Sequence, residues 1–430
     1  MTIRRFIREH SEVAVIAGAA MAIRIAWVLL VPIVNSRDHF LFDESTYECM
    51  ATNIAAGNGA IGLHGTPELL LPPGYPAILG SLYVLSRSAH SVAYALNIAA
   101  TALTCVAVWW LGTRVFGRSA GNVAATLYAI APGNIVGIGA TLSEFVYSAM
   151  LAVILVIFMQ IRSHARIRQL VTLGAVIGAS SLIKGLGLVY GAAILATWLV
   201  ECSSREALRR LTITVAAAAA IIAPWTVRNY LLTGYPILIS TDSSMVFYIS
   251  HNPRAGGSQT YNDALYRIQR EKELPDSMSL PQKEAVIYRT EMKEATAYLV
   301  RHPLENLSLA PSRLAKLFES DHAGFHDGIP GSPAFISGDH ADAIRSIANI
   351  YFHGMLSLCL LGVITSWPNR NARPFRLILL FMIVGHGLLF FGDPRFHIPV
   401  FPWIVLFAGA GIAACVNVPA RARVALGDVP

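Results

Sequence analysis

Residues 13–34 read VAVIAGAAMAIRIAWVLLVPIV, an apolar run broken by one charge, Arg24. A helix needs ~20 mostly apolar residues to cross the hydrocarbon core of a bilayer, and this run is long enough. It follows the basic start MTIRRFIREH, which raises the question of a signal peptide. A signal peptide has a shorter apolar core and a small-x-small cleavage site; this run has neither and carries Arg24, so it reads as an uncleaved anchor.

Working outward, similar runs recur at 90–111, 119–137, 142–161, 168–183, 185–201, 210–231, 346–366, 374–391 and 395–416, with a shorter one at 74–86. The chain of 430 residues is 54% hydrophobic and 14% charged, with a mean hydropathy of +0.53. That balance excludes a soluble globular protein of this length. The net charge of +7 is therefore a question of orientation, not of nucleic-acid binding. If 74–86 does not span, the arginine clusters at 114–118, 162–168, 205–210, 370–376 and 421–423 all lie on the side of the N-terminus, as the positive-inside rule requires. If it did span, the arginine-rich loops from 114 to 210 would move outside, so PPGYPAILGSLYV is read as a helix at the outer interface.

The expected architecture is an all-α polytopic membrane protein with about ten transmembrane helices and both termini cytoplasmic. Residues 1–231 form an N-terminal transmembrane module, whose first outer loop, 35–89, carries juxtamembrane helices at 48–57 and 74–86. Residues 232–345 form a small extracytoplasmic α-rich domain, and 346–430 the C-terminal transmembrane helices and a short cytoplasmic tail. Within the outer domain, PQKEAVIYRTEMKEATAYLVRHP has Val286, Tyr288, Met292, Ala295 and Leu299 near helical spacing, bounded by Pro281 and Pro303. The flanking STDSSMVFYISHNPRAGGSQT and SDHAGFHDGIPGSPAFISGDH read as loops. No internal repeat is visible, and the five cysteines have no paired spacing that would support a disulfide framework or a zinc site.

With this topology, the unexplained charges gather at the outer helix ends. They are Asp43 and Glu44 in FDESTY, Glu144 in ATLSEF, Lys184 in SLIKGLG, Arg228 in PWTVRNY, and Asp393 with Arg395 in GDPRFHIP. Any one of them could be an interfacial side chain reaching to water. Lys184 resists that reading because it interrupts two short apolar segments and is followed by Gly185 and Gly187, which allow close approach. Arg24 reads as a structural partner inside the bundle, and Tyr47 as an interface anchor. His64, His251, His322, His326, His340 and His397 fall outside but make no HxxxH or HExxH pair on a helix, so no metal site is assigned. A carboxylate beside a hydroxyl acts as general base, while guanidinium and ammonium groups hold phosphate. The combination suits transfer of a group from a phosphate to an alcohol, and at lipid level the phosphate-bearing donor could be a lipid.

The segments FDESTYECMATNIAAGNG, PPGYPAILGSLYVLS, LGTRVFGRSAGNVAATLYAIAPGNI, LSE, IKG, PWTVRNYLLTGYPILIST and GDPRFHIPVFPWIV, in this order, resemble the membrane glycosyltransferases of the GT-C superfamily. The resemblance is nearest to bacterial relatives of the dolichyl-phosphate-mannose protein mannosyltransferases and the aminoarabinose lipid A transferases, and is faintest over 245–345. It implies an enzyme of the cell (inner) membrane that moves a hexose or pentose from a polyprenyl-phosphate-linked donor to a hydroxyl of a glycan, lipid or protein, with the active site on the extracytoplasmic face. It further implies Asp43 as the base with Glu44 beside it, and Glu144, Lys184, Arg228 and Arg395 as substrate-binding groups. The chain departs from the aminoarabinose transferases before the diproline, where Leu71 stands in place of Lys, which argues against their substrate. No cofactor is required on this reading; a divalent cation near the carboxylates is allowed but not demanded. The alternative is a polytopic transporter or lipid flippase with an outward-facing charged vestibule. Transporters usually show repeated halves and midplane charges, and a scaffold role would leave the charged groups unexplained.

Overall fold

The computed structural model describes residues 3–30, 42–86, 89–259, 261–321 and 339–427. Among the described residues the fold is all-α, with one isolated β-bridge between Ile61 and Pro67. The chain runs through α1 (Ile3–Leu30), two short helices α2 (Phe42–Ala55) and α3 (Gly74–Tyr83), and the long α4 (Ala89–Phe116). Next come α5 (Arg118–Ala129), α6 (Pro132–Val136), α7 (Glu144–Ile161), the hairpin of α8 (Ile167–Ile183) and α9 (Leu186–Glu201), and α10 (Ser204–Thr233). The segment after α10 folds into α11 (Asp242–Ser250), α12 (Tyr261–Glu273), α13 (Leu280–Arg301), α14 (Pro303–Ser308) and α15 (Ala310–Leu317). Three helices close the chain: α16 (Asp339–Thr365), α17 (Arg373–Leu388) and α18 (Phe401–Gly427).

Among the described residues, six stretches are long and apolar enough to cross a membrane, in α1, α4, α7, α10, α16 and across Pro394–Val416. The other expected spans are shorter or broken. α8 and α9 are apolar but have 17 and 16 residues, and α17 has 16, or about 24–26 Å each at the helical rise. The run 119–137 is not one helix. α5 stops at Ala129, and Ala131 is extended before Pro132, as a residue preceding proline prefers to be. α3, with 10 residues, reaches only about 15 Å and cannot span, as expected of 74–86.

Small residues let the bundle close. A Cβ on Gly362 of α16 would overlap the carbonyl oxygen of Phe407 on α18, so the two helices cross at backbone distance. α1 is anchored by Arg24, buried, whose Nη1 donates to Ala20 O at 3.0 Å and to Ala129 O at 2.8 Å. Ala129 ends α5, where carbonyls lack helical partners, so Arg24 has the structural role expected of it.

The helix expected over 281–303 is α13, started by a capping box in which Ser279 and Gln282 exchange hydrogen bonds. The stretch 240–260, read as a loop, holds α11 instead. Its polar residues bond locally and its Ile249 is buried, so tertiary packing overrides a loop-like composition. The segment that follows α10 is fastened to the bundle. Thr241 N donates to Leu69 O at 2.8 Å. Arg313, buried, donates to Ser250 O and to Gly387 O at 3.1 Å. The stretch 35–41 of the expected first outer loop and most of the loop expected over 320–340, with His322 and His326, lie outside the described residues, as does the side chain of His340.

Candidate active site

α2 starts with Phe42, Asp43 and Glu44, and two carboxylates in a first turn favour helix formation there. Neighbours on a helix point about 100° apart, and the two acids reach different partners. Asp43 Oδ2 lies 2.9 Å from Arg395 Nη2. Glu44 is buried and its Oε1 accepts the backbone N–H of Thr141 at 2.9 Å, which ties α2 to the turn before α7. Burial pushes the Glu44 carboxyl up to about 7, against the pull of that N–H. Glu44 thus braces the turn that presents Glu144 rather than contacting Asp43.

Glu144 opens α7 and is fully buried. Its Oε1 receives Lys184 Nζ at 2.8 Å, Arg395 Nη2 at 3.0 Å and Arg395 Nε at 3.2 Å. Lys184 sits between α8 and α9 in an extended conformation, as the hairpin break in the sequence predicts. Arg395 is set by the side chain of Asp393, which accepts Arg395 N at 2.8 Å and caps the 3₁₀ turn Pro394–Val400. Four groups from four distant places therefore form one chain of charges: Asp43, Arg395, Glu144, Lys184. Glu144 is at the closed end, while the side chains of Asp43, Arg395 and Lys184 keep 29%, 23% and 17% of their surface accessible. Arg395 Nη1 has no partner among the described residues, so one edge of the guanidinium is free to take an anion.

Arg228 is not brought into this chain. Its Nη1 donates to Glu68 O at 2.7 Å and to Asn229 Oδ1 at 3.0 Å, and its Nη2 to Ala60 O at 3.4 Å, with the guanidinium 4.3 Å above the Trp225 ring. It holds the 60–68 stretch of the first loop. Glu68 in turn folds its own carboxylate over the N–H groups of Leu69, Leu70 and Leu71. Beyond this lies Gly74, where a Cβ would come within 2.8 Å of the backbone at Leu182 and Ile183. Only glycine lets the diproline segment pack beside Lys184. Tyr47, expected at an interface, is buried and meets Tyr75 edge-on at 5.1 Å, joining α2 to α3. His397 is also buried, with Nδ1 on Leu317 O at 3.0 Å. Among the described residues no group of three or more His, Cys, Asp or Glu converges as a metal site.

Asp242 is not marked in the sequence. It lies at the start of α11, half-buried, and its N–H donates to Leu70 O at 3.1 Å. Its carboxyl is pushed up to about 6 by burial and by the charge of Asp43, while Lys184, Arg267 and Arg395 oppose the shift. Its sequence surroundings, TDSS, carry no more than a turn signal.

This all-α bundle, with its charged chain at one set of helix ends, shares its fold with solved oligosaccharyltransferase structures of low sequence identity. The archaeal oligosaccharyltransferase AglB from Archaeoglobus fulgidus, in complex with an inhibitory peptide and a dolichol-phosphate, superposes with a TM-score of 0.56 at 14% identity, over 99% of this chain and 53% of that one. The Archaeoglobus fulgidus oligosaccharyltransferase in the apo form gives 0.55 at 16% identity, over 97% and 52%. The chain spans about half the length of these structures. Residues 71–227 match the profile of a family described as dolichyl-phosphate-mannose-protein mannosyltransferase. No curated protein matches the chain in sequence.

Proposed function

We propose that the chain is a glycosyltransferase of the cell (inner) membrane. It moves a sugar from a polyprenyl-phosphate-linked donor to a hydroxyl of a glycolipid, polysaccharide or protein, with inversion, at the extracytoplasmic face. The observation that carries this reading is the chain Asp43, Arg395, Glu144, Lys184, which sets an accessible carboxylate beside two accessible cations. Asp43 takes the proton of the acceptor hydroxyl as its oxygen attacks the anomeric carbon. The bond from that carbon to the phosphate oxygen breaks, and its electron pair leaves with the phosphate. Arg395 Nη1 and Lys184 Nζ meet the charge that develops there, a term that is usually large in catalysis. The scheme uses no metal.

Glu144 has a different role. Buried beneath both cations, it holds them together in the absence of phosphate and keeps the site near neutrality. An apolar cavity of about 430 Å³ between α8, α9 and α10, lined by Ile177, Leu188, Leu195, Val215 and Ile222, supports a lipid donor. Ile177 is seven residues, about two helical turns, before Lys184. The complex of the Archaeoglobus fulgidus enzyme with dolichol-phosphate and a peptide supports a lipid phosphate and a separate acceptor here. The topology that goes with this reading is ten spans with both termini cytoplasmic and 232–345 outside. The test is transfer of radiolabelled sugar from a panel of undecaprenyl-phosphate sugars by the purified chain in liposomes. Labelled acceptor product is expected; no transfer and no release from any donor would refute the assignment.

A further inference from the structure

The outer segment brings one carboxylate to the site that the proposed chemistry does not use. The start of α11 is held by a frame of polar contacts. Thr241 Oγ1 donates to Glu284 at 2.9 Å, Ser244 Oγ to Glu291 at 2.6 Å, and Ser243 Oγ to Ser240 O at 3.0 Å. Arg267 pairs with Glu284 at 2.8 Å and Glu291 at 3.5 Å. Among the described residues Asp242 is the exception in this first turn, because its carboxylate accepts no hydrogen bond and pairs with no cation.

Its place is fixed by backbone. The successive bonds Thr241 N to Leu69 O and Asp242 N to Leu70 O dock α11 on the residues just before the diproline. Four residues on, Gly74 packs against Leu182 and Ile183, directly before Lys184. Two short links thus connect Asp242 to Lys184, and the charges of Asp43, Lys184 and Arg395 all act on its carboxyl. A half-buried carboxylate left unpaired, on a helix docked beside the segment that packs against the residues before Lys184, is available to a ligand that the two cations hold. In a polyprenyl-phosphate sugar, the glycosyl group is bonded directly to that phosphate.

From the docking of α11 on Leu69 and Leu70 and the unpartnered carboxylate it presents, we infer that Asp242 binds the donor's sugar by accepting a hydrogen bond from one of its hydroxyls. This rests on the donor class proposed above. It makes the outer segment part of the donor site, and Asp242 a residue that separates glycosylated from bare polyprenyl phosphate.

The test uses the full chain in detergent and compares the affinity for undecaprenyl-phosphate-linked mannose, glucose and arabinose with that for undecaprenyl phosphate alone. The ratio of the two is the contribution of the sugar. In Asp242→Asn the contribution of the preferred sugar is expected to fall roughly tenfold, the scale of one hydrogen bond to a charged group. Affinity for undecaprenyl phosphate should stay within about twofold. Asp242→Glu, which keeps the charge, should restore part of the loss. A structural role would weaken both ligands together and lower the melting temperature, which overturns the inference. So does an unchanged sugar contribution in Asp242→Asn, with the transferase reading intact. A wild-type chain that binds no sugar donor better than undecaprenyl phosphate overturns both.

Discussion

Glu144→Gln is the perturbation whose outcome follows most directly from the geometry. Glu144 is fully buried and touches Lys184 Nζ at 2.8 Å and Arg395 Nη2 at 3.0 Å. At about 3 Å and an effective dielectric of about 20, each contact is worth ~5.5 kcal/mol before desolvation. Desolvation of the buried carboxylate removes several kcal/mol of that, and the two cations keep some access to water. Breaking a buried pair costs ~3–5 kcal/mol, and with the cations part-exposed the lower end, about 3 kcal/mol, is expected for Glu144→Gln. The mechanism is tested by the double variant with Lys184→Met. If the two side chains stabilise the fold through each other, the double variant should be less damaged than the sum of the singles, by ~1–3 kcal/mol. The assay is thermal and denaturant unfolding of the detergent-purified chains. Additivity within ~0.5 kcal/mol, or a Glu144→Gln chain as stable as wild type, would refute the claim that this charged chain holds the site together.

Other consequences can be checked with the same preparations. Burial raises the Glu44 carboxyl to about 7, so the folded chain binds that proton more tightly than the unfolded one. The resulting stability is full below the ordinary carboxylate range, near 4.5, and is lost as the pH rises through about 7. Glu44→Gln keeps the neutral form, so wild type should lose ~3 kcal/mol relative to it between pH 4.5 and 8, read from paired unfolding curves; parallel curves would contradict this. Because Arg228 holds the 60–68 stretch rather than the charged chain, Arg228→Ala should lower turnover less than ~10-fold, whereas Arg395→Ala should cost ~100-fold or more. Steady-state rates with the accepted donor decide between them, and equal losses would place Arg228 in the charged centre.

Much of the fold was legible because its cause is local. Apolar runs of helical length, the arginine clusters and Pro281 with Pro303 mark elements through solvation and backbone chemistry that a sequence displays directly. The break at Pro132 has an equally local cause, but the apolar content of 119–137 masks it. Asp43, Glu144, Lys184 and Arg395 stood out as charges at apolar helix ends, and the fold joins them. Arg228 stood out by the same criterion, but its partners are backbone carbonyls of Ala60 and Glu68, and no spacing rule encodes such contacts. Asp242 was hidden for the opposite reason. It lies in a polar segment where a carboxylate is ordinary, and only the pairing of Thr241 and Asp242 with Leu69 and Leu70 docks it beside the diproline segment.

Asp43→Asn bears most directly on the proposed reaction. Asparagine keeps an oxygen for Arg395 Nη2 but cannot take the acceptor's proton, so the charged chain survives while the base is lost. Sugar transfer from the accepted undecaprenyl-phosphate donor should fall by ~10²–10⁴-fold, with donor affinity and melting temperature close to wild type. Turnover retained within a few-fold would contradict the account.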